Sequence, residues 1–272
     1  CPSAVCNPNT YILSDNPKSI EYDNIVSSYH STILKEVNGN VKVWGENANP
    51  NHNRIIDDRN IVPDAHIDRA ILTPIDVIPA NGFNYSGSIL KFTAGSNHGF
   101  SESQFVILTT EGLYAWGWPG SVLSADIKSD EKFGKVAING KSDGLPVGIS
   151  PSDVKMLFGS FKTLAIVTCI GETYVLSQMG SKNGDGTSES AANNRIWHRV
   201  KTGSGSNAFL NDVIAVRGTP YALIALTANG DIYTWGTRTY LGNNTNPSNR
   251  TYATKMTLPS GATPKLIGMT VR

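Results

Sequence analysis

"TANGDIYTWG" (residues 227–236) sets Asn229-Gly230 between two short β-prone runs and closes on Trp235-Gly236. Asn-Gly between alternating apolar residues is a strong hairpin signal, because a two-residue turn needs a positive φ at a central position. The chain writes the phrase twice more, as "EVNGNVKVWG" (36–45) and "LTTEGLYAWG" (108–117). Extending each copy outward aligns four stretches, at 25–45, 90–117, 154–177 and 213–236. A fifth, "PKLIGMTVR" (264–272), begins in the same way and stops. The closing positions are Trp44, Trp116 and Trp235, with Leu176 in the third unit. Trp116 to Leu176 is 60 residues and Leu176 to Trp235 is 59. Trp44 to Trp116 is 72, and that interval holds the insert "ANPNHNRIIDDRN".

Each unit reads as three strands. The first ends near Gly95, Gly159 or Gly218, and the second is an almost continuous apolar run such as "ALIALT". A turn then carries Gly39, Gly112, Gly171 or Gly230, and the third strand ends on Trp-Gly. An apolar run without alternation belongs to a strand covered on both faces. One such unit cannot bury its own faces, but sheets stacked in series bury one another. Trp44, Trp116 and Trp235 are expected to wedge between neighbouring sheets. The expectation is an all-β chain, a β-propeller with blades at about 25–88, 89–153, 154–212 and 213–263. Residues 264–272 start a fifth blade and residues 1–24 lead in. An arc of this kind leaves open sheet edges, so we expect it to be an incomplete part of a larger propeller.

Composition narrows the function classes. The chain has 272 residues and a net charge of +1. A nucleic-acid partner is not expected, since it calls for a basic patch or stripe. No apolar run reaches the ~18 residues of a membrane span. Of three cysteines, Cys1 and Cys6 stand close together and Cys169 lies in the apolar run "LAIVTC". A local Cys1–Cys6 disulfide is the expectation for an exported chain; a lipid on Cys1, or a free thiol, is the alternative. Cys169 reads as a small buried hydrophobe.

The repeats resemble those of the regulator of chromosome condensation superfamily: a strand, G-x-x-H-[ST], an apolar run, x-x-D-G and an aromatic strand closing on W-G. "GSNHG" (95–99), "YHSTILKEVNGNVKVWG" (29–45) and "ALIALTANGDIYTWG" (222–236) carry the likeness, and "TYLGNN" (239–244) is a remnant of the motif that comes after W-G. The resemblance covers the chain from about residue 25 in degraded form and implies RCC1-like blades. The wording "CNPNTYILSDNPKSIEYDN" (6–24) is similar to repeat domains of large flavobacterial cell-surface proteins. That second likeness implies export by a type 9 secretion system and adhesive or gliding-associated roles. The founder's nucleotide-exchange activity is not carried over, since fold does not fix function.

The search for chemistry finds little. His30 and His98 share one repeat position with Lys162 and Tyr221, and a structural hydrogen-bonding role is expected there. His52, His66 and His198 sit in loop-like contexts without partner spacing. "SKNGDGTSES" (181–190) offers Asp185 and Glu189 to Ca²⁺ but lacks the order of an EF-hand loop, so a solvated loop is expected. Asp57 and Asp58 lie in a mixed-charge insert, and their adjacency says nothing of a glycosidase pair. Sequons stand at Asn84, Asn243 and Asn249. Neither G-x-S-x-G, H-E-x-x-H nor a phosphate-cradling loop occurs. No catalytic residue, metal or cofactor is expected.

The reading is therefore a non-enzymatic binding or scaffold module at a cell surface. Its expected partners are protein or glycan, with the secretion machinery as a further one. Trp118 in "WGWPG" is the leading contact residue, and Arg238 and Tyr240 occupy the matching place in the fourth unit. Lys91, Lys155 and Arg217 fall on first strands and would form a basic ring suited to an anion. The rivals are an inhibitor of a secreted enzyme and an enzyme using a central channel.

Overall fold

The computed structural model describes residues 24–52, 70–96, 102–138, 141–188, 195–237, 241 and 248–268. Among these residues the strands form four antiparallel four-stranded sheets, each a meander in chain order. The first holds β1 (Ile25–Ser28), β2 (Ser31–Lys35), β3 (Val41–Gly45) and β4 (Ile71–Asp76). The second holds β5 (Ile89–Ser96), β6 (Ser103–Thr109), β7 (Gly112–Gly117) and β8 (Gly134–Lys135). The third holds β9 (Val154–Ser160), β10 (Thr163–Thr168), β11 (Thr173–Ser177) and β12 (His198–Arg199). The fourth holds β13 (Val213–Gly218), β14 (Ala222–Thr227), β15 (Ile232–Gly236) and β16 (Arg250–Lys255). The all-β expectation therefore holds, with four strands to a sheet rather than three. The fourth strand has no apolar run because it lies at a sheet edge, where one face and one ladder side can stay wet. In β8 and β12 it is only two residues long.

Two sheets make up each of two compact units. One unit spans Asp23–Val147 with Gly159–Lys162; the other includes Gly148–Phe158 and Thr163–Arg272. In the first, Phe92, Phe105, Ile107 and Trp116 of the second sheet share a core with Ile33 and Val43 of the first. Phe105 stacks on the Trp116 indole at 5.0 Å and Phe83 meets it edge-on at 5.3 Å. In the other unit, Ala165, Val167 and Val175 of the third sheet pack with Leu223, Ala225 and Trp235 of the fourth.

Register explains the repeated Trp-Gly. Trp44, Trp116, Leu176 and Trp235 pair with Thr32, Phe105, Leu164 and Leu223, the same rung in every sheet. The glycines next in the chain have φ of 103° (Gly45), 90° (Gly117) and 120° (Gly236). A Cβ there would come within 2.5 Å of the Ser103 carbonyl at Gly117 and of the Tyr221 carbonyl at Gly236, and Gly45 abuts the His30 carbonyl in the same way. No side chain fits that approach. The third sheet has Ser177 here instead, whose hydroxyl lies 2.8 Å from the Thr163 hydroxyl.

The tryptophans are not equivalent in burial. Trp116 and Trp235 are both 0% exposed, whereas Trp44 is half-buried. The Trp116 indole N–H donates to the Ala48 carbonyl at 3.0 Å and the Trp235 N–H to the Lys182 carbonyl at 2.9 Å. Each acceptor lies in the loop after the third strand of the preceding sheet, so each indole ties two sheets together.

Residues 264–268, the described part of the expected fifth unit, carry no strand. Ile267 packs instead against the fourth sheet.

Trp235→Ala is expected to destabilise the chain by about 3–5 kcal/mol, the usual cost of emptying a buried tryptophan site. Trp44→Ala should cost markedly less, because its indole is only half-buried. Urea melts of the two variants against wild type check the order.

Candidate functional site

In a four-strand meander, the turn after the first strand and the connection after the third lie at the same end of the sheet. The turns between second and third strands are short in every sheet, while the connections after the third strand are long. Inserted sequence is therefore gathered at one end of each sheet, which is where loops carry binding groups.

Trp118 sits at this end of the second sheet and is half-buried. Its loop is tied down along its length. The Trp118 N–H donates to the Ser103 carbonyl at 2.8 Å, and the Ser121 hydroxyl to the Glu102 carbonyl at 2.6 Å. Gln104, which is 0% exposed, accepts the N–H groups of Val122 and Leu123 through Oε1, both at 2.8 Å. Two backbone donors at one oxygen fix the orientation of that amide. The Ser121 carbonyl accepts the Lys162 N–H at 2.7 Å, which brings the turn after β9 against the loop. That turn carries Phe161 with the Lys162 ammonium 5.0 Å from its ring centroid, a cation–π pair.

The position shared by His30, Lys162 and Tyr221 thus lies at the loop end of three sheets; His98 lies outside the described residues. His30 Nδ1 is 3.2 Å from Glu46 Oε2, and its ring is 4.2 Å from that of Tyr29. Tyr29 is 57% exposed, with φ of 52°, and Lys162 has φ of 56°. Side chains in the left-handed region cost about 1–2 kcal/mol each, and such outliers concentrate where a surface is put to use. Arg238 and Tyr240 lie outside the described residues.

Lys91, Lys155 and Arg217, the residues of the expected basic ring, stand on the first strands β5, β9 and β13. Lys91 and Lys155 stand four residues before Gly95 and Gly159, but Arg217 directly precedes Gly218. Arg217 donates to the Val216 carbonyl at 2.9 Å and stands 5.9 Å from the Phe158 ring, within the contact between the third and fourth sheets. Lys91 and Lys155 are half-buried, and both are engaged by other groups.

Two histidines read as unpartnered have carboxylate partners. His52, in the loop after β3, is 2.8 Å from Glu131 of the second sheet's loop, and Glu131 is 1% exposed. His198, in β12, is 2.7 Å from Asp185. Asp185 also accepts the Thr187 N–H at 3.0 Å and its hydroxyl at 2.5 Å. Both oxygens of the candidate Ca²⁺ ligand are thus already in use, and Glu189 lies outside the described residues. Burial pushes the Asp185 carboxyl up, but the bonds from His198 and Thr187 outweigh it and hold it at about 2. Among the described residues no three His, Cys, Asp or Glu side chains converge on one point.

Cys169 corrects another expectation. It is disulfide-bonded rather than a free buried thiol. It is half-buried in the turn after β10. Cys1, Cys6, His66, Asp57, Asp58 and Asn243 lie outside the described residues, as does the expected Cys1–Cys6 pair. Asn84 and Asn249 are exposed. Among the described residues no helix is long and apolar enough to cross a membrane.

Four antiparallel four-stranded meanders in series are consistent with the blades of a β-propeller. Human WBSCR16 superposes with a TM-score of 0.51 at 14% identity, over 84% of this chain and 50% of that one. Prp20p of Saccharomyces cerevisiae, described with binding properties toward Gsp1p and histones, gives 0.49 at 15% identity over 85% and 50%. Yeast RCC1 (Prp20) bound to Kap60 gives 0.48 at 17% over 85% and 49%. At these identities the likeness is one of fold. The chain spans about half the length of the solved structures it matches. No protein-family model and no curated protein matches the sequence.

The Asp185 carboxyl, lowered from 3.8 to about 2 on folding, contributes stability that is complete above pH 4 and lost as pH falls through about 2. Its size is at most about 2 kcal/mol. Asp185→Asn should therefore be less stable than wild type at pH 6, and the gap should close by pH 2, as denaturant melts across that range will show.

Proposed function

We propose that the chain is a non-catalytic binding or scaffold module of an exported bacterial surface protein, adhesive or gliding-associated in role. It takes protein or glycan on the loop face around Trp118, Phe161 and Lys162. The observation that carries this reading is the tethering of the Trp118 loop by the buried Gln104 amide and the Lys162 turn. A loop ordered in advance loses little conformational entropy on binding, and a surface tryptophan beside a cation–π pair is the kind of anchor that dominates contact energies. The disulfide at Cys169 supports export, since such bonds persist in oxidising compartments.

A glycan array and a pull-down from surface extracts, run with wild type and with Trp118→Ala and Lys162→Ala, test the proposal. Trp118→Ala should weaken whatever is bound by about tenfold or more, the effect of removing an anchor worth roughly 1.4 kcal/mol, with an unchanged melting temperature. Binding that both variants leave intact would place the contact elsewhere. Inhibition of a secreted hydrolase that Trp118→Ala relieves would turn the module from an adhesin into an inhibitor.

A further inference from the structure

Arg250 opens β16 at the loop end of the fourth sheet, paired with Gly236. It is only 9% exposed. A guanidinium carries five N–H donors and keeps its charge at any ordinary pH. Among the described residues those donors find one acceptor, the Thr234 hydroxyl at 3.3 Å from Nη1. Nε is buried without an acceptor. No carboxylate among the described residues pairs with this cation. Two other buried charges are matched: Lys128 faces Asp130, and Glu131 faces His52.

The neighbouring sequence supplies no counter-charge either. Residues 237–249, which link β15 to β16, hold Arg238 and no Asp or Glu, and the turn at 219–221 holds none. The rung itself does not call for a charge. In the first sheet the residue opposite the closing Gly45 is Ile71. A cation withdrawn from water without an opposite charge is a cost to the fold, and the cost is recovered only when such a charge arrives.

We propose that the loop end of the fourth sheet is an anion site, where Arg250 takes an oxyanion (carboxylate, sulfate or phosphate) carried by a partner. Two oxygens of one such group match the fork of guanidinium donors. The Thr234 bond orients the side chain in advance. Ser248 and Asn249, next to it in the chain, are exposed, so the approach is from the surface. The site belongs to a different compact unit from Trp118 and does not depend on that binding face.

Arg250→Met keeps a long side chain and removes the charge. Thermal melts of the full chain, wild type and variant, are compared in chloride and then with sulfate, phosphate or acetate at matched ionic strength. In chloride the variant should melt no lower than wild type, because no ion pair is broken. At least one oxyanion should raise the wild-type melting temperature, and Arg250→Met should lose that rise. The oxyanion that acts identifies the group. A variant that melts lower in chloride marks Arg250 as part of the fold. That result overturns the proposal, as does a wild type that no oxyanion stabilises or a rise that wild type and variant share.

Discussion

The bond from an indole N–H to a carbonyl of the neighbouring sheet's loop is the constraint on which the rest depends. A fully buried indole must place its one donor. The acceptors here, Ala48 and Lys182, stand in loops that leave the preceding sheet just after its own third strand. Ring burial then supplies the energy and the hydrogen bond supplies the register between sheets. The glycine after each tryptophan belongs to the same device. It lets the strand press against the carbonyl of Ser103 or Tyr221 as the chain turns into its loop.

That arrangement leaves the loop ends of the sheets both busy and constrained. The first residues of these loops accept indoles, and the residues beyond them are held by further polar contacts rather than left free. Around Trp118 those contacts come from a buried amide and from the Lys162 turn. In the loop after β11 they come from the Asp185–His198 pair. Histidine and carboxylate serve there as a cross-link between loop and strand.

Some of the fold was legible because its causes are local. Asn-Gly and Glu-Gly turns, doubly covered apolar strands and the Trp-Gly ending each arise from a few neighbouring residues. Their recurrence near 60 residues pointed to sheets stacked in series. Trp118 was legible as a loop residue for the same reason. The edge strands were not, because β8 and β12 need only a backbone ladder and no apolar pattern to form. Arg217 was read as a strand cation, and its place against Phe158 between the third and fourth sheets was not legible, because that contact joins two separate repeats.

By itself the sequence determined where the hairpins turn, which rung holds the tryptophan and that the repeated unit is a sheet needing neighbours. Tertiary structure alone decided which groups meet across those neighbours. His52 finds Glu131 across 79 residues, Gln104 finds the loop at Val122, and Trp44 differs from Trp116 only in what lies against it. Turn and strand preferences act over a few bonds and are written in adjacent letters. A hydrogen bond or a buried face between sheets depends on how two separate repeats are brought together, and no single stretch of sequence contains that.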